Sequence, residues 1–90
     1  MVKFTFPSLI SKITLEKETE VLAGTLGEAL EKLVEKYGKN FNDIVFEESG
    51  EVNRYLNFFV KGRESFTRGD MNVALNENDE VIVLIVISGG

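Results

Sequence analysis

At 90 residues, with 43% hydrophobic and 28% charged side chains, the chain has the make-up of one small globular domain and not of a disordered one. It contains no cysteine, histidine or tryptophan, which removes disulfides, thiolate nucleophiles, the usual general base near neutral pH and the commonest metal ligand. A formal net charge of −5 disfavours nucleic acid and anionic lipid as partners and favours a basic protein surface.

Only carboxylates, Lys, Tyr and hydroxyls remain for acid–base or nucleophilic work, so a self-sufficient enzyme is not expected. The opening "MVKFTFPSLI" lacks the apolar core of a signal peptide. The longest apolar run, Val81 to Ile87, is too short to span a membrane. The expected address is cytoplasmic.

The first element is "VKFTF", in which Val2, Phe4 and Phe6 alternate with Lys3 and Thr5. That period of two predicts a half-buried strand stopped by Pro7-Ser8. "KITLEKETEVL" alternates again, with Ile13, Leu15 and Val21 opposed to Thr14, Glu16, Glu18 and Glu20. It predicts a second strand forming an antiparallel hairpin with the first, its acidic side a solvated edge. In "GTLGEALEKLVEKYGKN" the period changes: Leu26, Leu30, Leu33, Val34 and Tyr37 form one helical stripe. Thr25 and Glu28 make a T-x-x-E capping box at its start, and Gly38 is a natural stop.

Phe41, Ile44, Val45 and Phe46 suggest a short helical turn or loop on the core, and "EESGEVN" is polar and turn-like. "RYLNFFVKGRE" predicts a third strand with Leu56, Phe58 and Val60 on one face, Phe59 on the other, and a turn at Lys61-Gly62. "SFTRGDMNVAL" is irregular with room for a short strand. "NEND" lacks the oxygen spacing of a calcium loop and reads as a turn. "EVIVLIVI" is the last strand, apolar on both faces, as strands interior to a sheet are.

A helix between the hairpin and the later strands supplies the crossover that a parallel pair needs. The predicted fold is α+β: a ubiquitin-like β-grasp, a mixed sheet of four to five strands with one main helix packed across one face. Residues 1–87 form the domain, and 88–90 a flexible diglycine tail. One helix covers one face, so Phe59 and one side of the last strand are left as a candidate partner surface.

The whole chain resembles the small sulfur carriers of the MoaD/ThiS type, most closely the small subunit of molybdopterin synthase. The resemblance rests on the ordered set "VKFTFPSLI", "TLGEALEKLVEKYG", "NFFVKGRE" and "LNENDEVIVLIVISGG". That small subunit commonly carries prolines ahead of its tail, where this chain has Leu84-Ile85-Val86-Ile87. ThiS proteins are shorter, so the "NFNDIVFEESGEVNRY" insertion places the likeness nearer MoaD. Archaeal small modifier proteins share the fold and tail.

The resemblance implies a definite chemistry. The carboxylate of Gly90 is adenylated by a ubiquitin-activating-type adenylating enzyme. A persulfide sulfur then displaces AMP, leaving a thiocarboxylate. That sulfur is donated in complex with the large catalytic subunit of molybdopterin synthase. The chain binds no cofactor of its own; ATP and a sulfur donor belong to the activating enzyme, and no metal is required of this chain. An α-carboxyl group with a pKa of about 3.5 is ionised without help. Gly89 and Gly90, lacking Cβ atoms, thread a narrow channel. Ser88, Phe59, Lys61 and Arg63 are the candidate partner contacts. The alternatives are a modifier joined to lysines through Gly90, a carrier for another pathway such as thiamine, and an interaction module that does not use the tail.

Overall fold

A computed structural model of the chain describes residues 1–63, 66–67 and 70–86. The elements in order are β1 (Val2–Thr5), α1 (Ser8–Thr14), β2 (Glu18–Val21), α2 (Leu26–Tyr37), α3 (Lys39–Val45), β3 (Leu56–Val60), β4 (Phe66–Thr67) and β5 (Glu80–Ile85). They build a five-stranded sheet in the order β2-β1-β5-β3-β4. β1 and β5 run parallel at its centre, and the other pairs are antiparallel. This is the α+β ubiquitin-like β-grasp architecture that the alternation and the crossover helix predict.

One face of the sheet carries the three helices of the described residues. Val2 and Phe4 of β1, Leu56, Phe58 and Val60 of β3, and Val81 and Val83 of β5 are buried there. They pack with Ile10 of α1, Leu26, Ala29, Leu30 and Leu33 of α2, and Phe41 and Val45 of α3. Truncating Phe4 or Phe58, neither of which has any exposed surface, costs about 3–5 kcal/mol. That is a large share of the 5–15 kcal/mol that holds a small domain folded.

α2 begins and ends where its sequence says. The Thr25 hydroxyl accepts the Glu28 N–H at 3.2 Å. The Glu28 carboxylate reaches one residue further back than a capping box requires, to the N–H of Gly24. The N–H groups of Leu26 and Gly27 donate to the carbonyls of Val73 and Met71 at 2.9 and 3.0 Å, so a distant loop satisfies donors that a helix start leaves open. Gly27 permits that approach, since a Cβ there would lie 3.1 Å from Met71 Cβ and Met71 O. Gly38, at φ +87°, ends α2 and lets α3 start at once.

The segment after β1 departs from the alternating pattern. Residues 12–22 do not form one strand: α1 ends at Thr14, Leu15 adopts a left-handed φ of 62°, and β2 is confined to Glu18–Val21. Pro7 explains the helix. Its carbonyl accepts the N–H groups of Ile10 and Ser11 at 3.0 and 2.9 Å, and the turns that follow bury Ile10 and Thr14 at i, i+4. Leu15, aligned by alternation with the buried residues, is instead 86% exposed. Among the described residues no helix is long and apolar enough to cross a membrane.

Candidate functional site

β5 brings the chain to the proposed site. It is paired on both sides, with Phe4 opposite Val81 on β1 and Leu56 opposite Ile85 on β3. The N–H of Val86 then makes a further bond, 2.7 Å to the carbonyl of Tyr55. The predicted reactive residues Gly89 and Gly90, the predicted partner contact Ser88, and the predicted domain boundary at 87 lie outside the described residues.

The end of the sheet where Val86 sits is built by the turn ahead of β3. Asn53 donates its backbone N–H to Val45 O at 2.8 Å and its side-chain amide to Ile44 O at 3.0 Å. Its side-chain oxygen accepts the Tyr55 N–H at 2.9 Å, and its carbonyl accepts the Leu56 N–H at 3.0 Å. Arg54 donates its backbone N–H to the Glu47 carboxylate at 2.9 Å. That bond, followed by the Arg54 side chain, holds the Glu47 carboxyl below its usual range. Sequence reading passes over these residues because "EESGEVN" carries no period; Asn two residues ahead of an N–H it can hold is the one local signal.

The sheet face opposite α1, α2 and α3 divides in two. At one end a row of charges crosses four strands. Lys3 Nζ lies 3.1 Å from Glu18 and 3.8 Å from Glu80, and Lys61 Nζ lies 3.8 Å from Glu80 on the other side. The hydrogen bond to Glu18, then its charge, raises the pKa of Lys3. Signs alternate from β2 to β3, so this end satisfies itself. Toward Val86 the face turns apolar. Phe59 pairs with Ile82 across β3 and β5, and the next pair on that face is Asn57 with Leu84. Leu84 is 38% exposed and Val86 47%. The exposed side of the last strand is therefore Ile82 and Leu84, continuous with Val86.

Register separates the predicted contact residues. Phe59 belongs to the apolar half. Lys61 and Arg63 follow β3 past Val60, which pairs with Val81 at the start of β5; this is roughly 20 Å along the strand from Val86 at ~3.3 Å per residue. Arg63 is engaged within the fold, its two terminal nitrogens donating to Ala74 O and Asp79 Oδ2 at 2.7 Å each. An open depression of about 980 Å³ lies on the helical side, between α2, α3 and residues 47–50, with Glu31, Glu35, Asp43 and Glu48 on its walls. Among the described residues no group of three or more His, Cys, Asp or Glu could hold a metal ion.

Neither a protein-family model nor a curated protein sequence matches the chain. Solved structures do. SAMP1 from Haloferax volcanii superposes with a TM-score of 0.81 at 21% identity, over 99% of this chain and 98% of that one. A chain of the Amycolatopsis orientalis BexX/CysO complex gives 0.80 at 22% identity, over all of both chains. A Pyrococcus furiosus protein assigned as molybdopterin converting factor subunit 1 gives 0.67 at 21%, over 96% of this chain and 97% of that one. At these identities the likeness establishes the fold.

Proposed function

We propose that this chain is a sulfur carrier of the MoaD/ThiS type whose working group is the carboxylate of Gly90. A carboxylate oxygen attacks the α-phosphorus of ATP held by an adenylating enzyme, forming the acyl-adenylate and releasing pyrophosphate. A persulfide sulfur on the partner attacks the acyl carbon and AMP leaves, giving an acyl disulfide; a partner thiolate then attacks the partner-side sulfur, the S–S bond breaks, and the two partner sulfurs are left as a disulfide. The thiocarboxylate that results donates its sulfur within the large catalytic subunit of molybdopterin synthase, in building the molybdenum cofactor. The chain acts as a carried co-substrate; ATP and the sulfur donor are held by partners.

One observation carries this reading: the last described residues of β5 are clamped at the sheet centre beside an exposed apolar strip. That arrangement gives a partner a firm surface to hold while Ser88-Gly89-Gly90 reaches its active site. The "NFNDIVFEESGEVNRY" insertion and the likeness to the P. furiosus converting-factor protein support the molybdopterin branch.

The experiment is mass spectrometry of the intact chain after incubation with its adenylating enzyme, ATP and a sulfur donor. The reading expects one oxygen of the C-terminal carboxylate exchanged for sulfur, and no exchange in a chain lacking Gly90. A carboxylate left unchanged in the full chain rejects it. The closer superposition on SAMP1 than on the converting-factor protein favours one second reading, conjugation of Gly90 to lysines of other proteins. Under that reading higher-mass conjugates accumulate in cells and vanish when Gly90 is removed.

A further inference from the structure

The last described hydrogen bond of β5 depends on a peptide group that Asn53 holds. The Val86 N–H donates to Tyr55 O at 2.7 Å, and the N–H of that same peptide unit, on Leu56, donates to Asn53 O at 3.0 Å. The preceding peptide unit is held too, because the Tyr55 N–H donates to Asn53 Oδ1 at 2.9 Å. Both peptide planes flanking Tyr55 are thus fixed by one residue. That residue is itself fastened to the end of α3 through Val45 O and Ile44 O. The Tyr55 side chain itself is half exposed.

We propose that Asn53 is the positioning residue for the tail, orienting the Tyr55 carbonyl so that it captures Val86 and fixes where the reactive arm begins. The role rests on the sulfur-carrier reading for its purpose, though not for its geometry. An arm that starts from a fixed point loses less freedom on entering a partner's channel, which lowers the cost of productive binding. The Asn53 carbonyl holds that peptide unit directly, and the side-chain oxygen steers it through the neighbouring unit by accepting the Tyr55 N–H. The side-chain NH2, bonded to Ile44 O, serves α3.

That division of labour separates positioning from plain structural support. Asn53→Ala removes both side-chain bonds. Asn53→Asp keeps an acceptor for the Tyr55 N–H and loses the donor to Ile44 O. Amide hydrogen exchange followed by NMR reads the first consequence. In Asn53→Ala the Val86 amide is expected to exchange roughly tenfold faster relative to Val81, the weight of about one net hydrogen bond. In Asn53→Asp it stays near wild type. Equal acceleration in both variants, acceleration only in step with Val81, or a wild-type Val86 amide that exchanges as in a free peptide would each overturn the proposal.

ATP–pyrophosphate exchange with the adenylating enzyme reads the second consequence. Asn53→Ala is expected to raise KM for the carrier several-fold with kcat nearly unchanged, and Asn53→Asp to restore it. An unchanged KM in Asn53→Ala overturns the positioning role. If the wild-type chain supports no exchange at all, it is the sulfur-carrier reading that fails, and the Val86 amide still decides what Asn53 does.

Discussion

Phe59 of β3 stands directly opposite Ile82 of β5, on the sheet face opposite α1, α2 and α3. With Leu84 and Val86 they form an apolar strip leading to the end of β5, while the charged row of Glu18, Lys3, Glu80 and Lys61 closes the other end. A partner that must hold the tail gains from the first half and little from the second, whose charges are already paired. Leu84→Glu is therefore expected to weaken binding to the adenylating enzyme by about tenfold or more, as loss of a central apolar contact does. Its unfolding midpoint should stay within about 4 °C, because the side chain is already part-exposed. Lys61→Ala, at the charged end, should alter affinity by less than about threefold. Calorimetric titration of both variants checks the division; equal losses would refute it.

The cluster at the C-terminal end of α2 sets a pH response. The Tyr37 hydroxyl donates to Glu16, and Lys36 Nζ lies 3.4 Å from the same carboxylate. The Tyr37 hydrogen bond outweighs the opposing cost of burial and, helped by the charge and hydrogen bond of Lys36, holds Glu16 below its ordinary value. A carboxyl whose folded pKa is depressed stabilises the fold above its unfolded pKa, and that help is lost as pH falls through the folded one. Burial, then the bond to Glu16, raises Tyr37, so its contribution is complete below about pH 10 and fades as pH rises past it. In Tyr37→Phe the Glu16 carboxyl should titrate closer to its ordinary value, as NMR of the side-chain carbon will read. An unmoved midpoint would assign the shift to Lys36 alone.

The central strands and the main helix were legible because their signals are long or doubled. β5 is apolar on both faces and could lie only between neighbours. α2 shows a three-turn stripe between a Thr cap and Gly38. The open-face role of Phe59 followed from its being out of phase with Leu56, Phe58 and Val60. α1 was hidden because seven residues hold too few repeats to separate a period of 3.6 from one of two, and Ile13 and Leu15 imitated a strand. Pro7 at the head of a helix was the signal available. The turn that clamps Val86 was illegible for another reason: Asn53 acts through backbone groups of residues brought close only by the fold.

Leu15 carries a backbone cost that its exposed side chain offsets little. It has a left-handed φ of 62° and an almost fully exposed side chain. For a residue with a Cβ and no local hydrogen-bonding group this conformation costs roughly 1–2 kcal/mol. Leu15→Asn is expected to raise stability by about 1 kcal/mol, since Asn tolerates the left-handed region and no buried area is lost. The urea midpoint should rise at an unchanged slope. A fall would mean that Leu15 makes contacts in the folded chain beyond those its exposure allows.

Arg63 invites two different expectations, and its hydrogen bonds favour the second. As a partner contact its loss would weaken binding with the fold intact; as a brace within the fold its loss would cost stability and leave binding. Its guanidinium instead spans Ala74 O and Asp79 Oδ2, while the same Asp79 oxygen accepts the Asn76 N–H at 2.7 Å. Three segments of chain therefore meet at one fork, and a lysine cannot reproduce two divergent donors from one nitrogen position. Arg63→Lys and Arg63→Ala are both expected to cost about 1–2 kcal/mol of stability. Binding to the adenylating enzyme, measured well below the unfolding midpoint, should remain within about twofold of wild type. A tenfold loss of affinity at full stability would move Arg63 from the fold's interior bookkeeping to the partner surface, and would extend that surface to the far end of β5.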